Sequence, residues 1–224
     1  MIGRRRLRVL GEIAAPGDAG RPWSLAARDL DVLELARKRL GDARVVLVTG
    51  ADVPARVLAV GLAGAGAAGA SRAVLVDCDL ERSALAAELG LAPVPGLHEY
   101  LRWEATPQDV LQPLVLAGPA SANASEPLVF VSAGRPAAEP STLLGLQSFR
   151  HMSAKLRAAY DLVVLAGPPA DAARTALSAV AAEADAALLA LAPGRADRAE
   201  LRALRAAVRR LGVETRGAVV VQRS

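Results

Sequence analysis

The sequence predicts an α/β protein with a doubly wound, mostly parallel sheet flanked by helices. Three observations carry this. Apolar, β-branched runs of about five residues recur along the chain, the length of buried strands. Segments with apolar residues at three- and four-residue steps lie between them, the spacing of one helix face. The alternation runs from Arg44 to Gln222 with no polar linker, as expected when parallel strands are covered on both faces.

Residues 1–23 read as a basic N-terminal segment, with Arg4, Arg5, Arg6 and Arg8 ahead of a loop marked by Pro16, Gly17, Gly20 and Pro22. Residues 24–224 read as a single domain. A helix is expected over Ser24 to Leu40, where Ala26, Leu30, Leu33, Ala36 and Leu40 share a face and Gly41 ends it. Arg44 to Thr49 is a buried strand between Gly41 and Gly50, and Ala55 to Ala68 a helix of small residues. Ala73 to Asp77 is the second strand, followed by helical pieces over Ser83 to Leu89 and Leu97 to Trp103. Further strands are expected at Leu128 to Ser132, Asp161 to Leu165, Ala186 to Leu191 and Ala218 to Val221. Helices are expected at Phe149 to Tyr160, Ala172 to Ala182 and Ala196 to Leu211, and Gly118 to Pro127 is the most polar loop.

The 224 residues suit one large α/β domain or two small ones, and 53% hydrophobic content excludes disorder. Aromatic residues make up 3%, too few for a stacking platform for single-stranded nucleic acid. Cys78 is the only cysteine, which excludes an internal disulfide framework and a Cys-based zinc cluster. The longest apolar stretch, Val57 to Ala70, falls short of the roughly 20 residues a membrane span needs, and no apolar stretch follows the arginine cluster as in a signal peptide. A soluble, cytoplasmic protein is expected. Of 27 basic residues only Lys38 and Lys155 are lysines, so chemistry that needs a lysine has two candidates.

In doubly wound folds ligands sit beyond the carboxyl ends of the strands. The first such place is Gly50, Ala51, Asp52, Val53, Pro54, Ala55 and Arg56. A phosphate cradle needs glycines that aim backbone N–H groups, a lysine for the terminal phosphates and a Ser/Thr for magnesium. This segment has one glycine, neither of the other residues, a carboxylate, and a proline that lacks an N–H. It reads as an ordinary strand-to-helix turn. The second place holds Asp77 and Asp79, which either share a cation or serve as a base, or else cap the next helix or face water. The third, Ala166-Gly167-Pro168-Pro169, offers a rigid exit with no carboxylate.

In this order the pieces carry a resemblance. Ala73-Val-Leu-Val-Asp-Cys-Asp-Leu80, Pro95-Gly-Leu-His-Glu-Tyr-Leu101, Val131-Ser-Ala-Gly134 with Glu139-Pro-Ser-Thr-Leu-Leu144, Tyr160-Asp-Leu-Val-Val-Leu165 with Pro168-Pro169, and Gly217-Ala-Val-Val-Val-Gln222 follow one another. From Arg44 to Gln222 the chain resembles the cytoplasmic kinase domain of the bacterial tyrosine kinases of capsular and exopolysaccharide biosynthesis, within the MinD/ParA-type P-loop ATPases. The resemblance implies a P-loop NTPase-like fold and a role beside membrane machinery that sets polysaccharide length and export. It implies that Asp77 and Asp79 match acidic residues that serve magnesium and proton transfer. It places Pro168 and Gln222 near the nucleotide.

The same resemblance exposes losses. Ala55 stands near the family's lysine, Arg56 near its Ser/Thr, and Ala166 in place of its third-motif aspartate. Lys38 and Lys155 lie elsewhere in the chain and do not replace the lysine. The expectation is a degenerate, non-catalytic adaptor with no cofactor and no metal, ATP with magnesium being what an active relative would hold. Its expected partner is a membrane polysaccharide co-polymerase or chain-length regulator, through which it would reach the inner face of the membrane. Two alternatives stand: a residual ATP-dependent tyrosine kinase or ATPase working through Asp77 and Asp79 and completed by a partner, and a ParA/MinD-like positioning or DNA-associated module. Nucleic acid is otherwise not an expected partner.

Glu34 and Arg37 match the family's ring-forming motif and are candidates for a homo-oligomer interface; the plainer reading is a local pair on a solvated face. Tyr100 and Tyr160 are the only tyrosines, so phosphorylation of a tyrosine-rich tail is not expected. Arg198, Arg202, Arg205 and Arg209 recur at helical steps as a basic stripe, either contacting phosphate or acidic partners or forming a solvated outer face. Arg4 to Arg8 either approach anionic lipid or an acidic tail, or form a disordered terminus. His98 and His151 are read as surface or satisfied groups, Cys78 as a buried filler, and Trp23 and Trp103 as packing or interface anchors.

Overall fold

The computed structural model describes residues 8–15, 23–118, 127–170, 174–194 and 198–222. The strands are β1 (Val9–Ala14), β2 (Val45–Gly50), β3 (Ala73–Asp77), β4 (Gln112–Leu114), β5 (Leu128–Val131), β6 (Leu162–Ala166), β7 (Ala186–Leu191) and β8 (Thr215–Gln222). They form one eight-stranded sheet in the order β1-β8-β7-β2-β6-β3-β5-β4. Every pairing is parallel except β4 with β5. The described helices are α1 (Ala27–Leu40), α2 (Asp52–Ala68), α3 (Leu85–Glu88), α4 (Leu97–Leu101), α5 (Pro107–Val110), α6 (Pro140–Leu144), α7 (Gln147–Ala159), α8 (Arg174–Ala181) and α9 (Arg198–Arg210).

The four central strands β2, β3, β6 and β7 are buried along their whole length, which is why they read as unbroken apolar runs. Alternate residues feed two cores. Val46, Val48, Leu75, Val164 and Leu188 face one layer with Leu33 of α1 and Leu58 and Leu62 of α2. Val45, Leu47, Val74, Val163 and Leu189 face the other, with Tyr100, Phe149, Met152, Leu177 and Val208. Each fully buried Leu or Val contributes about 2 kcal/mol relative to exposure. The small residues of α2 let it lie close to the sheet: a Cβ on Gly66 would come within 2.6 Å of Leu162 Cδ2.

Several boundaries differ from the sequence reading. Val9–Ala14, read as part of the basic segment, is an edge strand paired with β8. Gly11 and Glu12 interrupt its apolar run, and much of it is only half-buried, so it lacks the signature of the central strands. Gln112–Leu114 also went unrecognised; Pro113 argues against a central strand, and β4 is the opposite edge. Ser24 to Ala26 precede α1 rather than opening it, and Ser24 bridges to Ala117. Residues 1–7, 16–22, 119–126, 171–173, 195–197 and 223–224 lie outside the described part. They include Arg4 to Arg6, the Pro/Gly loop and most of the polar loop.

Candidate functional site

The carboxyl ends of β2, β6 and β3 lie side by side, bringing Gly50, Ala166 and Asp77 to one edge. Ala166 is in register with Val48 on one side and with Asp77 on the other. The segment after β6 is pinned over the end of β2. Gly167 N–H donates to Val48 O at 2.9 Å, Thr49 Oγ1 to Pro168 O at 2.8 Å, and Ala170 N–H to Gly50 O at 3.2 Å. Pro168 is therefore at the site, where its carbonyl holds Thr49.

The β2 exit departs from the expected turn. Helix α2 begins at Asp52, with only Ala51 between it and the strand, so Asp52 to Arg56 are helical. The early start has local causes. Asp52 complements the positive end of the helix, proline is tolerated in a first turn, and Asp52 and Arg56 pair at i,i+4. Gly50 has φ +142°, and a Cβ there would lie 2.1 Å from Ala190 O. Ala51 N–H donates to Ala190 O at 3.1 Å, and Ala55 N–H to Ala51 O at 2.7 Å. Pro54 has no N–H, so Asp52 and Val53 retain the available donors of the first turn.

Arg56 points away from solvent into an ion-pair cluster. Its Nη2 lies 2.8 Å from Glu88 Oε1 and its Nε donates to Glu88 Oε2 at 3.2 Å, while its Nη1 reaches Asp52. Arg82 Nη1 takes the other Asp52 oxygen at 2.7 Å. Burial opposes the Arg56 charge, but the bond to Glu88 and the surrounding carboxylates outweigh it and hold the guanidinium pKa above its ordinary value.

Asp77 is buried, and its Oδ1 accepts the Asp79 N–H at 3.1 Å. Burial, with the nearby Asp79 charge adding to it, pushes its pKa up to about 7; the Asp79 N–H and Arg56 oppose the rise. Asp79 is also raised, by burial first and with Asp52 contributing, against the pull of Arg82. Cys78 between them is buried, and burial together with both carboxylates pushes its thiol well up, as befits an inert filler. Among the described residues no group of three or more His, Cys, Asp or Glu side chains is placed to hold a metal ion.

The remaining sequence candidates lie apart from this edge or are engaged. Gln222 ends β8, and its amide donates to Glu12 of β1. Glu34 and Arg37 are both exposed on α1, but they do not form the local pair: Glu34 meets Lys38 at 3.8 Å and Arg37 donates to Ser71 at 3.0 Å. On α9, Arg202 and Arg209 are exposed, Arg205 is half-buried and Val208 is buried; the Arg198 side chain lies outside the described part. His98 Nδ1 is bonded to Arg135 O at 2.7 Å. Trp23 is buried, with its indole N–H on Glu88 O at 3.1 Å, whereas Trp103 is 79% exposed. Glu88 and Arg82 were missed as parts of the site. Both lie beyond β3 and reach the β2 exit only through the fold, so no local spacing announces them.

No protein-family model matches the sequence, and no curated protein matches it. Solved structures do. The kinase domain of Escherichia coli tyrosine kinase ETK superposes with a TM-score of 0.78 at 19% identity, over 96% of this chain and 90% of that one. The BceF tyrosine kinase domain gives 0.71 at 24% identity, over 87% and 76%. The septum site-determining protein MinD of Pyrococcus horikoshii, complexed with Mg-ADP, gives 0.60 at 16% identity, over 79% and 69%. The chain thus has the P-loop ATPase fold, in the form shared by bacterial tyrosine kinase domains and MinD-type ATPases.

Proposed function

We propose that this chain is a non-catalytic relative of the bacterial tyrosine kinases, acting as an adaptor in exopolysaccharide biosynthesis and export beside a membrane polysaccharide co-polymerase. The observation that carries the reading is the ion-pair cluster at the β2 exit, in which Arg56 is engaged by Glu88 and Asp52. Magnesium nucleotide does not fit the donor set there. Two backbone N–H groups beside the Asp52 carboxylate are a poor match for a polyphosphate. The arginine that stands nearest is bound to Glu88 and Asp52, and a guanidinium is not an equivalent of the lysine ammonium. Neither Ala55 nor Arg56 offers a hydroxyl for the metal, and Ala166 offers no carboxylate. Burial raises the Asp77 pKa and so opposes the ionised form that a metal ligand needs. Phosphoryl transfer depends on positioned charge, and the charges at this edge neutralise one another.

Without a nucleotide to bind, the work left to the domain is contact with other proteins. Among the described residues no helix is long and apolar enough to cross a membrane; in this reading the partner supplies membrane proximity. Isothermal calorimetry of the chain with ATP and magnesium tests the reading. No heat of binding is expected at micromolar concentrations; micromolar affinity with measurable turnover refutes it.

A further inference from the structure

The described charges are unevenly placed along the strand direction. Strands β1, β8, β7, β2, β6 and β3 are parallel neighbours in that order, so their starts form one edge of the sheet. Arg8, Arg216, Arg44 and Arg72 stand at or beside the starts of β1, β8, β2 and β3, and all four are exposed. Helices α1, α7 and α9 lead into β2, β6 and β8 and finish at the same edge. Their last turns are basic: Arg37, Lys38 and Arg39 on α1, Arg157 on α7, Arg209 and Arg210 on α9. Helix α1 packs on one face of the sheet, α7 and α9 on the other.

The carboxylates of this edge do not balance the cations. They are Asp42, Asp161, Glu183, Asp185 and Glu214, with Glu34 one turn back on α1. Asp161 is taken by Arg72 at 3.2 Å, Asp185 by Arg157 at 2.8 Å, Glu214 by Arg216 at 3.2 Å and Glu34 by Lys38 at 3.8 Å. That leaves Arg8, Arg37, Arg39, Arg44, Arg209 and Arg210 against Asp42 and Glu183, six cations to two carboxylates. Arg37 donates to Ser71, which is neutral. Basic residues suit the negative ends of helices, but Arg8 and Arg44 stand at strand starts and add to the excess. Around the β2 and β3 exits, at the opposite edge, Asp52, Asp79, Glu81 and Glu88 outnumber Arg56 and Arg82. The domain is thus polarised along its strands.

We propose that this amino-terminal edge of the sheet is a contact surface for an anionic phospholipid membrane. The cations are spread over six strands, roughly 24 Å at the usual strand spacing, and over the helix ends on both faces. A plane of phosphates meets all of them together, whereas an extended acidic peptide or one DNA duplex meets a single line. The recess at this edge, about 240 Å³ between Arg37, Lys38 and Asp161, is itself lined by a carboxylate and does not suit an acidic side chain. The polarity of the domain turns this edge toward a negative surface and the β2 exit away from it, which selects one orientation. Arg4, Arg5 and Arg6 lie immediately upstream of Arg8 in the sequence and add to the positive charge. The contact adds to whatever a partner supplies and does not depend on the adaptor reading.

The test is co-sedimentation of the full chain with vesicles of phosphatidylcholine alone or with about 30% phosphatidylglycerol, in about 0.1 M NaCl. Saturable binding is expected on the anionic vesicles and not on the neutral ones, and about 0.5 M NaCl should release it. The combined variant Arg39→Gln, Arg44→Gln, Arg210→Gln should bind at least about tenfold more weakly. A second variant, Arg28→Gln, Arg150→Gln, Arg202→Gln, removes the same charge from the starting halves of α1, α7 and α9 and should stay within about threefold of the parent. All six side chains are exposed, and thermal melts confirm that both variants fold. No binding to anionic vesicles, equal binding to neutral ones, full binding by the first variant, or equal losses in the two variants overturns the proposal. So does tighter binding to a DNA duplex or to polyglutamate at the same concentration of negative charge.

Discussion

Removing the Asp77 charge should stabilise the protein, increasingly so as pH rises. The carboxyl is pushed from 3.8 up to about 7, so the folded chain holds a proton that the unfolded chain has lost between those values. Stability therefore falls as pH climbs through that window, and the full penalty is present above about pH 7. At about 1.4 kcal/mol per pH unit, the penalty reaches about 4 kcal/mol, a ceiling that relaxation around the site reduces. Asp77→Asn keeps the shape and an oxygen to accept the Asp79 N–H, but never ionises. The variant should match the parent near pH 4 and exceed it by as much as about 4 kcal/mol at pH 8. With a urea slope of about 3 kcal/mol per M, the midpoint moves up by about 1 M. Asp79 titrates in both proteins and interacts with Asp77, so the difference reports Asp77 together with its coupling to Asp79. Urea melts at half-unit pH steps measure it. A gap that stays constant with pH, or a variant less stable at pH 8, refutes the assignment of a strained buried carboxylate.

Two further substitutions probe the β2 exit. Gly50→Ala forces a Cβ into the Ala190 carbonyl at a backbone angle suited to glycine, and a loss above about 3 kcal/mol in chemical denaturation is expected. Arg56→Ala breaks the two-pronged bond to Glu88 and should cost about 1–3 kcal/mol. In a double-mutant cycle with Glu88→Ala, about 1 kcal/mol or more of that should appear as coupling; additive losses would show that the pair contributes nothing.

Much of the fold was legible because the central strands are buried on both faces, and such strands are written as apolar runs. Val45–Gly50, Ala73–Asp77 and Leu162–Ala166 lie where those runs place them. The edges were not legible. β1 carries Gly11 and Glu12, β4 carries Pro113, and each gains its place by pairing with a neighbour distant in sequence. At the site, the absence of a lysine, a hydroxyl and a third carboxylate could be read residue by residue. The early start of α2 could not, because Gly50-Ala51-Asp52-Val53-Pro54 has the composition of a turn, and the Ala190 carbonyl and the Arg56 pairs draw it into the helix. Gln222 and Glu34 each have a partner, Glu12 or Lys38, that the motif does not include.

The sequence by itself determined a mostly parallel α/β fold with helices on both faces of the sheet, and a β2 exit that carries neither a lysine nor a hydroxyl after Gly50, because burial and side-chain chemistry are written locally. Only the tertiary structure decided what surrounds that exit. Glu88 and Arg82 come from beyond β3, and they meet Asp52 and Arg56 because the sheet brings the ends of β2 and β3 together around β6. Burial there also turns Asp77 from an ordinary acid into one that titrates near neutrality, a property that depends on what surrounds the residue and not on its identity.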